Sequence, residues 1–246
     1  MIEIQIDDLH KSFNQGAVAA LKGVTCRFRA GGLHGIIGPA GAGKTTLLRL
    51  MLKLLNPDRG TVCYCKNGTK MDFEEIMPQV AYMPEQQSLY ADLSIQEHLD
   101  FFAEMYSLDP KNYQEKRAQL LKMTRLGKFL DRPAGKLSGG MYKKLGLMCA
   151  LLRSPQVILL DEPTNGVDPI SRREFWEMLH EAVKNQVTVI MTTAYMDEAE
   201  RCEEVYLMED GCLLGNGEPA QLLRDEMVNN FDEFFIKRAQ REVKNG

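Results

Sequence analysis

The densest concentration of chemistry is a nine-residue stretch, 38–46, reading Gly-Pro-Ala-Gly-Ala-Gly-Lys-Thr-Thr. It satisfies G-x-x-x-x-G-K-[ST], the spacing at which glycines let a backbone curl until successive amide N–H groups point into one hollow. A helix starting behind such a loop adds its positive end to the same place. The chemistry that fits is polyphosphate binding: Lys44 reaches the β- and γ-phosphates, and the Thr45 hydroxyl coordinates the Mg²⁺ that bridges them. Gly38, Pro39, Ala40, Gly41, Ala42, Gly43, Lys44, Thr45 and Thr46 are the candidate binding residues. The competing reading is a glycine-rich turn after a core strand.

Two further stretches carry chemistry. In Val157-Ile158-Leu159-Leu160-Asp161-Glu162 an apolar run ends in two carboxylates. A buried parallel strand would deliver both to its C-terminal edge, where α/β sheets place ligands. Asp161 would then hold Mg²⁺ and Glu162 would polarise the water that attacks the γ-phosphate. Taken alone, two acids after a strand also fit a solvated turn. In Leu137-Ser138-Gly139-Gly140-Met141, Ser138 is a good N-cap and the glycines leave a helix N-terminus bare, so that a phosphate can approach its amides. This helix lies far along the chain from the phosphate loop, and a second copy or a related partner could supply it.

The elements that must position these residues are legible in outline. An apolar run, 33–37, precedes the loop as a strand, and 46–52 follows it as the start of a helix expected to end near Asn56-Pro57-Asp58-Arg59-Gly60. Ile2, Ile4 and Ile6 alternate with polar residues, as do Val24, Cys26 and Phe28, which predicts antiparallel strands at the start. Strands are also expected at 61–65, 80–83, 156–160 and 187–193, and a hairpin at 205–215 turning on Glu209-Asp210-Gly211. Between them, 88–153 reads as helices only. Ser94 with Glu97 forms a capping box there, and Asp109-Pro110 starts a helix expected to stop at Gly127. Asp168-Pro169 caps a helix carrying Phe175, Trp176, Met178 and Leu179. The expectation is an α/β fold, with a mixed sheet flanked by helices, an antiparallel β subdomain and an inserted α-helical subdomain. The core comprises 1–87 and 154–217, the helical insert 88–153, and a helical tail 226–246.

Composition limits the alternatives. The chain has 246 residues, enough for a full core, and 30 Lys plus Arg against 34 Asp plus Glu give a net charge of −4. No polybasic face dominates, so no nucleic-acid partner is expected. The opening residues carry acids where a signal peptide carries bases, and no apolar run reaches the ~18–20 residues of a membrane span. A cytoplasmic protein is expected. Cys26, Cys63, Cys65, Cys149, Cys202 and Cys212 show no metal-ligand spacing, so they read as reduced thiols. His10, His34, His98 and His180 read as structural. The pairs Lys143-Lys144 and Arg172-Arg173 read as solvated helix faces, and the apolar stripe of 231–235 as packing on the domain or a partner.

These three motifs, in the chain order 38–46, 137–141 and 157–162 and followed by Thr164-Asn165-Gly166-Val167-Asp168, resemble the ATP-binding subunits of ABC transporters. The likeness covers residues 1–225, and the run 166–173 with Ala194-Tyr195-Met196-Asp197-Glu198-Ala199-Glu200 is most similar to the exporter branch. The resemblance implies a P-loop NTPase that uses ATP and Mg²⁺. It further implies a head-to-tail dimer with ATP between one phosphate loop and the other subunit's Ser138 to Gly140 segment, here Leu137, Ser138, Gly139, Gly140 and Met141. Transmembrane permease subunits would dock on the helical insert and hold the protein to the cytoplasmic face of the membrane. Phe13 stands where the family has an aromatic that stacks on adenine, Asp168 where it has an aspartate coupling the two sites, and Glu162 is the implied catalytic residue.

Three positions depart from the family pattern. Glu85 replaces a glutamine that senses Mg²⁺ and the attacking water, with Gln86 and Gln87 just behind it. Ala194 replaces a histidine that contacts the γ-phosphate, and Ala40 an asparagine of the loop. Glu85 is kept as a candidate Mg²⁺ ligand with Thr45 and Asp161. Two functions follow: an ATPase driving export through a separate permease, or a slow or non-hydrolysing nucleotide-gated dimerisation module paired with a more competent subunit.

Overall fold

The computed structural model describes residues 1–245; Gly246, the last residue of the expected tail, lies outside them. Alternating isoleucines make the first strand. β1 (Ile2–Phe13) buries Ile2, Ile4 and Ile6 and turns the residues between them away from the core, the period of two that a pleated strand imposes. It pairs antiparallel with β2 (Val18–Phe28). β3 (Leu33–Ile37) is buried throughout and leads through the phosphate loop into α1 (Lys44–Met51). There follow β4 (Arg59–Lys66), β5 (Thr69–Met71), α2 (Phe73–Ile76) and β6 (Val80–Met83). The next stretch is helical: α3 (Ile95–Met105), α4 (Pro110–Thr124) and α5 (Gly139–Leu151). The chain then alternates β7 (Val157–Leu160), α6 (Pro169–Lys184) and β8 (Thr188–Thr193), and ends with β9 (Glu204–Glu209), β10 (Cys212–Gly217), α7 (Pro219–Glu226) and α8 (Phe231–Asn245).

The strands form two sheets. One is antiparallel, in the order β2-β1-β4-β5; the other has six strands in the order β10-β9-β3-β8-β7-β6. In the larger sheet β9, β3, β8, β7 and β6 run parallel, and only β10 is antiparallel to its neighbour. Strands covered on both faces need apolar residues at every position, which is why β3, β7 and β8 are buried end to end. Successive side chains feed different cores. Val157 and Leu159 join Ile36, Tyr206 and the α1 leucines under the antiparallel sheet. Ile158 and Leu160 join Leu145, Met148, Trp176 and Leu179 beneath the helices.

Several local expectations change. α1 ends at Met51, about five residues early, because Leu52 leaves helical geometry and Lys53 takes a left-handed backbone with φ 51°. The helix after Asp109 stops at Thr124, where Arg125 caps it at φ 60°, and 127–129 forms a separate 3₁₀ turn. The expectation of solvated lysines at the start of α5 is wrong. Lys143 and Lys144 are only 9% and 6% exposed, because nearly every residue of α5 from Tyr142 to Leu151 is enclosed and the helix has no free face. Arg172 is likewise no solvated side chain: its guanidinium stacks on the Tyr195 ring at 4.3 Å, whereas Arg173 is exposed. Phe231 and Phe234 of α8 pack into the domain against the 196–201 turn.

Candidate functional site

Parallel pairing brings four strand ends to one edge. The phosphate loop leaves the end of β3, Glu85 follows β6, Asp161 and Glu162 follow β7, and Ala194 follows β8. Register keeps the ends level, with Ile37 opposite Thr193 and Met83 opposite Leu160. Together with Val18, Ala19 and Ala20 of β2, these loops enclose a cavity of about 590 Å³. Its lining includes Ala40, Gly41, Ala42, Gly43, Lys44, Thr45 and Thr46, together with Glu85, Glu162, Asn165, Ala194 and Tyr195.

The loop's conformation depends on its glycines. Gly43 sits at φ 101°, and a Cβ there would stand 2.5 Å from the Ala20 carbonyl oxygen. At Gly38 a Cβ would meet the Met208 carbonyl oxygen at 2.0 Å, and a backbone atom at that distance cannot swing aside. Gly38→Ala is therefore expected to destabilise the fold by about 2 kcal/mol through enforced backbone shift, read as a lower urea midpoint in an equilibrium melt.

Lys44 is buried and donates to the Gly38 and Pro39 carbonyls at 2.7 and 3.0 Å. Its ammonium also lies 3.1 Å from Glu162 Oε1. The other Glu162 oxygen accepts the Ala194 backbone N–H at 3.1 Å, so at position 194 it is the main chain, with no side-chain donor, that touches the carboxylate. Glu162 adopts φ 44°, a left-handed conformation that a non-glycine residue takes only when its surroundings hold it. Its N–H is fixed by Thr192 Oγ1 at 2.9 Å.

Asp161 is almost fully enclosed and gathers hydroxyls. Oδ1 accepts from Thr45 Oγ1 at 2.9 Å and from Thr192 Oγ1 at 2.7 Å, and Oδ2 faces the Tyr82 hydroxyl at 3.4 Å. Burial, then the Asp161 charge, push the Tyr82 hydroxyl up to about 12, so it remains a donor at neutral pH. The donor set suits Mg²⁺. Thr45 and Asp161 are in contact, and the Glu85 and Glu162 carboxylates line the adjoining cavity: a few hard oxygens, leaving other positions to water and phosphate, as this ion prefers. Glu85 is exposed and accepts from Asn165 Nδ2 at 3.3 Å.

Other sequence candidates lie elsewhere. Phe13 pairs across the hairpin with the cavity-lining Val18, but its ring stands at the rim beside the Lys11 ammonium and is not part of the lining. None of the residues 137–141 lines the cavity either. Ser138 caps α5 by accepting the Met141 N–H at 3.3 Å, and both Ser138 and Gly139 are exposed. Gly140 is buried: a Cβ there would lie 2.3 Å from Ser171. Asp168 caps α6, accepting the Ile170 and Ser171 N–H groups at 3.1 and 2.9 Å, and the Ser171 bonds hold its carboxyl below the usual range.

Sequence reasoning gave no site role to Tyr82, Lys143, Asn165, Thr192 or Tyr195. The one available signal was positional: Tyr82, Thr192 and Tyr195 sit within two residues of a strand end, Asn165 lies within the run 164–168, and Lys143 follows Met141 by two residues.

Comparison with known proteins agrees with this geometry. A family model described as "ABC transporter" matches residues 21–165. The "Probable multidrug ABC transporter ATP-binding protein YbhF" of Escherichia coli is 43% identical over 228 residues, 93% of this chain and 39% of that protein. The "Nod factor export ATP-binding protein I" of Ralstonia nicotianae is 32% identical over 225 residues, 91% of this chain and 70% of the other. The chain thus spans about two fifths of the first relative's length. A solved "ATP binding subunit of ABC transporter" superposes with a TM-score of 0.81 at 27% identity, covering 95% of this chain and 98% of that one. The chain belongs to the ATP-binding family of the ABC transporters.

Proposed function

We propose that this chain hydrolyses ATP at the cavity between the phosphate loop and Glu162, as the energy-coupling subunit of an export system whose permease is a separate membrane component. The observation that carries the reading is the Lys44–Glu162 contact at 3.1 Å inside the cavity. It puts a cation suited to the phosphates and a carboxylate suited to the water side by side. Lys44 and the loop amides bind the triphosphate. Glu162, oriented by the Ala194 amide, takes the proton of the attacking water as its oxygen bonds to the γ-phosphorus and the bond to the β-phosphate oxygen breaks, which leaves ADP and phosphate. Thr45, Asp161 and Glu85 would hold Mg²⁺, which when bound neutralises charge on the β- and γ-phosphates. Phe13 is the candidate for the adenine at the rim.

None of the residues 137–141 lines its own subunit's cavity, and Ser138 and Gly139 are exposed, which supports a head-to-tail dimer in which Ser138 to Gly140 complete a second subunit's site, with Asp168 at the seam. No helix among the described residues is long and apolar enough to cross a membrane. We take 1–87 with 154–217 as the core, 88–153 as the permease-docking insert and 226–246 as the tail. Exposed Tyr90, Phe101 and Met105 on the insert offer apolar surface for that docking, which would hold the chain at the cytoplasmic face. Names of relatives, multidrug in one and Nod factor export in another, favour export.

The test is Mg²⁺-dependent phosphate release by the purified chain, alone and with its permease, against a Glu162→Gln control. Turnover no higher than the control rejects the reading. A slow nucleotide-gated module paired with a more active subunit is the second reading. It is favoured by the lack of a side-chain donor at Ala194 and the carboxylate at Glu85.

A further inference from the structure

Lys143 occupies an unusual position for a charged helical residue. It lies five residues after the exposed cap Ser138, about 7 Å along the helix axis, yet points into the protein and is 9% exposed. Its Nζ donates to the backbone carbonyl of Glu85 at 3.0 Å and to that of Glu162 at 3.5 Å. Both acids line the cavity, and they follow different strands, β6 and β7. A single ammonium from α5 therefore bridges both loops from below.

The Glu162 end of this bridge is where backbone geometry is least ordinary. At φ 44° the residue depends on its surroundings, and its carbonyl has two donors: Lys143 and the Asn165 N–H at 3.2 Å. Burial lowers the Lys143 ammonium from its usual range, while the charges of Glu85, Asp161 and Glu162 oppose that fall. An ion retained in such a place costs desolvation, so its hydrogen bonds must offset it. The N-terminal edge of α5 is open: Ser138 and Gly139 are exposed and do not line the cavity of their own subunit.

We propose that Lys143 is a positioning residue that couples two ATP sites: it makes α5 rigid with the Glu85 and Glu162 loops, so that nucleotide held on Ser138 to Gly140 by a second subunit sets the orientation of the catalytic carboxylate in the first. The inference rests on the head-to-tail reading of the preceding subsection. Lys143 touches no substrate; it acts through the main chain of Glu162.

The experiment compares the wild-type chain with Lys143→Met and Lys143→Arg, measuring ATP affinity by fluorescent-nucleotide binding and the ATP dependence of turnover. Lys143→Met is expected to keep the dissociation constant within about threefold, lower kcat about tenfold, and bring the Hill coefficient of turnover to about 1. Lys143→Arg, which retains the donors, should restore both cooperativity and most of kcat. A Lys143→Met chain that keeps the wild-type Hill coefficient overturns the proposal, whatever its kcat, since a purely structural loss would leave cooperativity unchanged. A non-cooperative wild-type chain overturns it equally. Should Lys143→Met not fold, Lys143→Gln carries the same comparison. ATP-induced dimerisation of Glu162→Gln, followed by sedimentation, separates the two levels: no dimer rejects the head-to-tail reading itself, while a dimer with unaltered cooperativity in the Lys143 variants rejects only the coupling.

Discussion

Glu162→Gln is expected to lower ATP turnover by about 10²–10³-fold while leaving ATP affinity within a few-fold. Gln has the shape of Glu, and its amide oxygen can still accept the Ala194 N–H that now holds Oε2 at 3.1 Å. What it loses is basicity. Among the described residues, Glu162 is the carboxylate that lines the cavity in contact with the Lys44 ammonium, at 3.1 Å, and an amide in its place cannot take the water's proton. Removing a negative charge beside the triphosphate also eases binding slightly, so kcat falls and KM does not rise, the pattern of an interaction made in the transition state. Single-turnover phosphate release, with nucleotide affinity measured separately, tests this. A kcat within threefold of wild type would move the general-base role away from Glu162.

Ala194→His is expected to act in the opposite direction, raising turnover up to about 10²-fold, the size of effect that one preorganised transition-state donor supplies. Ala194 is exposed, at the end of β8, and lines the cavity opposite the phosphate loop. Its main-chain amide is engaged by Glu162, so a side-chain donor adds to the existing contact without competing for it. An imidazole near neutral pH also titrates, so the ratio of variant to wild-type turnover should itself change with pH between about 6 and 7. Steady-state assays across that range check both points. An unchanged rate would mean that the present donors suffice, and would remove the main ground for reading the chain as a slow module.

Which parts of this site were legible depended on how local they were. The phosphate loop is a contiguous device, and its glycines, Lys44 and Thr45 carry their geometry in the sequence. The carboxylates of Asp161 and Glu162 were legible because an all-apolar run of that length is what a doubly covered strand requires. Contacts between strands were not legible. That Thr192 is the hydroxyl joining Asp161 to Glu162 depends on the pairing of β7 with β8, in which Leu160 faces Met191, and no local pattern fixes that register. Lys143 and Lys144 were misread because charge is ordinarily a marker of exposure; α5 is enclosed beyond its first turn, and its lysines are satisfied by the carbonyls of Glu85 and Glu162 and by Glu174. Helix ends were misplaced where a single residue, Lys53 or Arg125, takes a left-handed turn that glycine would have advertised.

The tight seat of Gly140 against Ser171 bears on how the subunit interface is to be dissected by mutagenesis. Any side chain added at Gly140 first displaces α5 from α6 within its own subunit, so a dead Gly140 variant reports a mis-seated helix before it reports anything about a neighbouring nucleotide. Ser138, 3.3 Å from its capped amide and exposed to solvent, is the residue at which the two effects come apart. Ser138→Asp preserves the cap and confronts an approaching phosphate with a like charge, so it separates assembly from folding in one substitution.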